Sequence, residues 1–64
     1  MEQHFYVLFD PKESLFFRDH QFGGSKDMLK AERYRSYEEA ESVLKYLDKN
    51  KWTVRKVTVK LEEN

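Results

Sequence analysis

Cysteine is absent from this 64-residue chain, the net charge is zero, and there are only one proline and two glycines. Without cysteine there is no disulfide staple, no thiol nucleophile and no zinc ribbon, which argues against a secreted mini-protein. The even balance of 12 basic and 12 acidic residues speaks against a histone-like basic binder and against an acidic imitation of DNA. No apolar run approaches the ~20 residues of a membrane span, and no basic segment leads into an apolar one at the amino terminus. A soluble cytoplasmic protein with no membrane contact is the expectation. The two glycines, Gly23 and Gly24, precede Ser25 and Lys26. A phosphate loop needs its first glycine five residues before a Gly-Lys pair, between a strand and a helix; neither condition is met, so a turn is expected.

Aromatic side chains are plentiful instead: five Phe, four Tyr and one Trp, 16% of the residues. A chain this short sits near the size at which one apolar core only just offsets chain entropy. Residues 1–64 are therefore expected to form a single domain held by packing alone.

The clearest local signal runs from Ser36 to Leu47. Ser36 can cap the first turn of a helix while Glu39 reaches back to the Ser36 amide, a capping box. Ala40, Val43, Leu44 and Leu47 then recur at helical spacing. The helix is predicted over Tyr37 to Asp48, with Asn50 in the left-handed position that ends it. Around it, His4 to Phe9 reads as a strand, Asp10 to Glu13 as a proline turn, and Ser14 to Arg18 as the returning strand. Asp19 to Asp27 is a long loop, Leu29 to Arg35 a third strand, and Trp52 to Leu61 a last strand rich in valine. Glu62 to Asn64 reads as a frayed tail. The expected fold is α+β: a small antiparallel sheet, in the order strand, strand, strand, helix, strand, with one helix packed on one face.

One helix cannot cover two apolar faces. Phe5, Val7 and Phe9 point one way along the first strand and Tyr6 and Leu8 the other, and both sets are apolar. The second strand repeats this with Leu15 and Phe17 against Phe16. Either the Asp19 to Asp27 loop folds back with Phe22 as a plug, or the far face meets another molecule. In the second case Tyr6, Leu8, Phe16 and Arg18 form the partner-binding patch.

Chemistry-bearing residues are sparse. His4 and His20 lie at helical spacing neither from each other nor from a carboxylate, and Asp19 beside His20 is only half of a metal or acid–base pair. Ser14, Ser25, Ser36 and Ser42 have no placed base. No catalytic, cofactor or metal site is expected, and the protein is not expected to be an enzyme. Six basic residues (Lys45, Lys49, Lys51, Arg55, Lys56 and Lys60) face only Asp48 in the last third, while Glu38, Glu39 and Glu41 load the helix start. Part of that asymmetry suits the helix dipole. Lys51, Trp52, Arg55 and Lys56 make a basic rim with an aromatic in it, the composition that holds single-stranded nucleic acid on a sheet.

Two resemblances attach to these residues. Ala31-Glu32-Arg33-Tyr34-Arg35-Ser36-Tyr37-Glu38-Glu39-Ala40, with Phe5-Tyr6-Val7-Leu8 before it, resembles the hybrid-binding domain found ahead of many ribonucleases H. The Gly-aromatic-x-x-Trp segment of that family is missing here, so none of its nucleic-acid contacts is carried over. Tyr6 through Val59 is similar in plan to short prophage reading frames of Gram-positive bacteria: Tyr-Val-Leu-x-Asp, an aromatic return strand, a variable loop, Ala-x-Arg-aromatic, Glu-Glu-Ala-x-x-x-Leu and a Lys-Trp-x-Val strand. That likeness implies a phage protein acting in the host cytoplasm, some such proteins being anti-CRISPR inhibitors that occlude a functional surface. The expected function is a non-enzymatic module that binds a host protein such as a CRISPR effector nuclease. A small nucleic-acid-binding accessory protein and a homodimerising structural protein are the alternatives.

Overall fold

A computed structural model describes residues 2–19, 21 and 23–60. His20, Phe22, Leu61 and the Glu62 to Asn64 tail, and with them the expected Phe22 plug, lie outside the described residues. The fold is α+β, a four-stranded antiparallel sheet with one helix. In chain order the elements are β1 (Glu2–Asp10), β2 (Leu15–Asp19), β3 (Gly23–Ser25), a 3-10 turn (Met28–Lys30), α1 (Tyr37–Leu44) and β4 (Thr53–Lys60). The strands lie in the order β3, β2, β1, β4.

The third strand differs from the expected one. Leu29 to Arg35 forms no strand; its start is the 3-10 turn, capped by the Asp27 carboxylate accepting from the Leu29 amide at 2.9 Å. The glycine segment pairs with β2 instead, Gly24 standing opposite Phe17. Glycine suits that place for a steric reason. A Cβ on Gly24 would sit 3.0 Å from Leu15 Cβ and 3.2 Å from the Trp52 ring, while Gly23 takes a φ of +71°, a conformation that disfavours side chains.

Between Asp10 and Leu15 the chain reverses through Pro11 to Ser14. The Asp10 carboxylate accepts from the Lys12 amide at 3.0 Å and the Glu13 amide at 3.4 Å. Ser14, at φ 55°, is the only non-glycine residue with positive φ among the described residues. The reversal sets Asp10 opposite Leu15 and Phe9 opposite Phe16. Beyond those pairs β1 and β2 separate, and the segment before the helix enters between them. Tyr34 and Tyr6 exchange two backbone hydrogen bonds of 2.8 Å, and the Glu32 amide donates to the Phe17 carbonyl at 3.0 Å. On its other side β1 pairs with β4 along its length, from Glu2 opposite Lys60 to Phe9 opposite Thr53.

Helix α1 starts as its sequence requires, the Ser36 hydroxyl accepting from the Glu39 amide at 3.1 Å. A cap of this kind is worth about 1 kcal/mol. The Glu39 carboxylate, however, reaches the Arg35 amide, at 3.4 Å, rather than that of Ser36. The helix is shorter than its periodicity suggests. After Leu44 the Tyr46 and Leu47 amides bond three residues back, to Val43 and Leu44, and Asn50 does not take the left-handed position. Asp48 ends the excursion, its carboxylate accepting from the Asn50 amide and its carbonyl from the Trp52 amide.

The core lies between α1 and the sheet face carrying Leu8, Phe17 and Trp52, with Tyr34 and Ala40 completing it. Tyr6, Leu15, Val43, Leu44, Leu47 and Val54 pack around them. The Phe17 and Trp52 rings meet edge to face at 5.5 Å. At the hairpin end the layer is closed by Asp10, whose carboxylate is 97% shielded from solvent, with the Lys51 ammonium at 3.6 Å. Asp10→Ala leaves two turn amides without their acceptor and Lys51 with Glu13 as its remaining carboxylate, and is expected to cost about 1–3 kcal/mol. Urea unfolding of the purified variant measures this, and an unchanged midpoint would mean the carboxylate does not hold the turn.

Candidate functional site

The sheet face opposite α1 follows from the register. Side chains alternate along a strand, and directly opposed residues share a face. Phe9 opposite Phe16, Phe5 opposite Val57 and Gln3 opposite Val59 therefore put Phe5, Val7, Phe9, Phe16, Val57 and Val59 on one surface, away from the helix. Val7 at its centre is fully buried and Val59 is 37% exposed; the remaining four are partly exposed. The Phe9 and Phe16 rings contact at a centroid distance of 5.0 Å. Two guanidinium groups lie on this surface, Arg33 at 4.8 Å from the Phe5 ring centre and Arg55 at 5.9 Å from that of Phe9. No carboxylate occupies a position of β1, β2 or β4 on this side.

The residues expected to form one patch are divided between two faces. Tyr6 and Leu8 face the helix: Leu8 is wholly buried in the core and Tyr6 packs against it. Its ring meets that of Tyr37 edge-on at 6.4 Å. Phe16 lies on the opposite surface beside Phe9. The cause is the hairpin register. A reversal shorter by one residue would bring Leu8 opposite Phe16; the one present brings Phe9 there. Arg18 lies near the end of β2, 4.0 Å from Asp19, at the bulge between Phe17 and Asp19.

The expected basic rim is likewise dispersed. Trp52 is a core residue, 6% exposed. Lys51 lies 3.6 Å from Asp10 and 3.7 Å from Glu13, with its ammonium 5.6 Å from the Trp52 ring centre. Arg55 belongs to the open face, and Lys56, opposite Tyr6, to the other side of the sheet. Arg33 is the second cation of the open face. Its position could have been found only from the alternation of Arg33 and Tyr34 once Tyr34 is known to be core.

Hollows also lie on the helix side of the sheet and at the hairpin end. One, of about 230 Å³, is lined by Phe17, Arg18, Asp19, Glu32, Tyr34 and Val43. Tyr34 is 4% exposed, and its hydroxyl is the one buried side-chain polar atom without a hydrogen-bond partner among the described residues. The other, of about 250 Å³, is lined by Asp10, Lys12, Glu13, Asp48, Asn50 and Lys51, where the Asp10 carboxylate is taken up by the turn and by Lys51. His4 bonds across the ladder to the Thr58 hydroxyl at 3.1 Å. Among the described residues no group of three or more His, Asp or Glu is placed to hold a metal, and no helix is long and apolar enough to cross a membrane.

No protein-family model matches this chain, and no curated protein or solved structure matches it either.

Burial, then the charges of Glu32 and Glu39, push the Tyr34 phenol up to a pKa of about 12, against about 10 in an unfolded chain. The folded state keeps this proton where the unfolded state loses it. The associated stability is complete below about pH 10 and is lost as pH rises toward 12, by up to about 1.4 kcal/mol per pH unit. Urea unfolding of wild type and Tyr34→Phe across that range is expected to show the wild type weakening faster. Parallel curves would mean that the phenol is not shielded.

Proposed function

We propose that this protein is a non-enzymatic binding module that lays its open sheet face on a partner protein and occludes part of its surface. The supporting observation is the single sheet face opposite the helix-covered core on which Phe5, Phe9, Phe16, Val57 and Val59 stay partly exposed around the buried Val7. Contiguous apolar surface of this kind, rimmed by polar groups, is what interaction sites present. Arg33 and Arg55 give it positive charge, and β1, β2 and β4 place no carboxylate on that side, so a partner surface carrying acidic groups complements it. The narrower reading is a phage-encoded inhibitor of the anti-CRISPR type, acting in the host cytoplasm on a CRISPR effector nuclease. It rests on the likeness of the Tyr6 to Val59 plan to short prophage reading frames.

A second reading has one observation in its favour: guanidinium groups over phenylalanine rings on an open sheet are also the furniture of a single-stranded nucleic-acid platform. The zero net charge of the chain makes it the weaker of the two.

Binding of the purified protein to guide-loaded CRISPR effector nucleases, measured alongside Phe16→Glu, Val57→Glu and the control Tyr46→Ser, separates these readings. Occlusion predicts that both glutamate variants keep their fold and lose at least about tenfold in affinity, as loss of a buried apolar contact implies. Tyr46, just past the end of α1, is 85% exposed, and its variant is expected to bind as wild type does. Equal binding by Phe16→Glu would overturn the assignment of the face. Binding to a single-stranded oligonucleotide that falls steeply with salt, with none to protein, would favour the second reading.

A further inference from the structure

We propose that the outer edge of β4 is a docking site for an extended acidic segment of a partner protein, which joins the sheet as a further strand antiparallel to β4. The site is made of backbone groups and Lys56, and it stands whether or not the open face is used.

The strand order sets the edge. β3 and β4 are the outermost strands, and β3 has only three residues where β4 has eight. β4 pairs with β1 without interruption from Thr53 to Lys60, so its far side is an equally regular row. Which groups point outward follows from Tyr6. In an antiparallel ladder a residue turns its amide and its carbonyl toward the same neighbour, and successive residues turn to opposite neighbours. Tyr6 gives both groups to Tyr34, on the side away from β4. Tyr6 and Lys56 are therefore opposed without bonding, and the bonded pairs are Phe5 with Val57 and Val7 with Arg55. It follows that the amides and carbonyls of Val54, Lys56 and Thr58 point away from the sheet. Among the described residues they have no hydrogen-bond partner.

The charge of the edge selects the strand that fits it. β4 carries Arg55, Lys56 and Lys60 and no carboxylate. Lys60 reaches Glu2 at 3.8 Å and Arg55 lies over the Phe9 ring, whereas Lys56 meets no carboxylate among the described residues. Two β4 edges brought together would crowd these cations, and lysine on an edge strand guards against such self-pairing. A strand bearing carboxylates gains from the same charges, since opposite charges across a strand pair attract and like charges repel. Alternation sorts its side chains. Carboxylates fall on the helix side beside Lys56, and β-branched residues on the open side beside Val57 and Val59. Main-chain bonds then supply attachment, and alternate side chains supply selectivity.

A capped octapeptide of Val-Glu repeats, titrated into the isotope-labelled full chain and followed by amide NMR and hydrogen exchange, tests this. A Val-Lys octapeptide is the control. In the free protein the Lys56 and Thr58 amides are expected to exchange quickly and those of Arg55 and Val57 slowly. The Val-Glu peptide alone is expected to shift and protect Lys56 and Thr58, with a dissociation constant of roughly a millimolar or tighter. In the antiparallel arrangement its glutamate amides face β4, so N-methylation of the glutamates is expected to abolish binding and N-methylation of the valines to leave it. Lys56→Glu is expected to weaken binding by roughly fivefold, as reversal of a cross-strand charge pair implies. Thr58→Pro removes an outward amide and none of the ladder to β1; it is expected to abolish binding with a wild-type spectrum elsewhere. Equal binding of the two octapeptides, unchanged affinity in Lys56→Glu, or full binding by the N-methylglutamate peptide would overturn the proposal. Lys56 and Thr58 already protected in a free protein of dimeric mass would assign the edge to a second copy and overturn it as well.

Discussion

The register of the first hairpin is the constraint on which the rest of this structure depends. Because strand side chains alternate, a slip of one residue exchanges the two faces of β1 relative to β2. The four residues Pro11 to Ser14, the Asp10 carboxylate gripping the Lys12 and Glu13 amides, and the left-handed Ser14 select the register with Asp10 opposite Leu15. From it follow a core built on Leu8 and Phe17 and an outer surface built on Phe9 and Phe16. A shielded carboxylate at the end of an apolar layer is costly unless its acceptor capacity is used. Here two backbone amides and Lys51 use it.

The second consequence is a gap. β1 and β2 pair at the turn and then part, and a sheet opened in this way exposes unpaired backbone groups. The Glu32 to Tyr34 segment fills the opening, bonding to Phe17 on one side and Tyr6 on the other. Alternation within that short segment sends Tyr34 into the core and Arg33 out over Phe5. One insertion thus completes the apolar layer, adds a cation to the open face and lines the hollow beside α1.

Local features were legible in the sequence where a few neighbouring residues decide them. The Ser36 cap, the apolar stripe of Ala40, Val43, Leu44 and Leu47, the Asp10-Pro11 turn and the valine-rich last strand all depend on short-range chemistry, and the α+β arrangement followed. Partner choice was not legible at that range. Gly23 to Ser25 has little strand propensity and pairs only because β2 offers an edge that a side chain would crowd. Leu29 to Arg35, with better propensity, gives way to a 3-10 turn and a single bridge. The aromatic excess was visible, and so was the need for two apolar faces, but which residues share a face depends on the turn's length. Leu8 and Phe16 are therefore separated in space, Leu8 in the core and Phe16 across from Phe9. Trp52 shows a similar limit: beside Lys51 in sequence, it reads as rim, while its ring fills the core under Gly24.

The functional reading inherits this dependence, since the open face exists as one surface only if Phe9, and not Leu8, stands across from Phe16. Nuclear Overhauser contacts between β1 and β2 in the isotope-labelled protein measure that directly. Strong contacts from Phe9 to Phe16 are expected, with Leu8 in contact with Phe17 and Trp52. Strong contacts from Leu8 to Phe16, with Phe9 directed toward the helix, would contradict it.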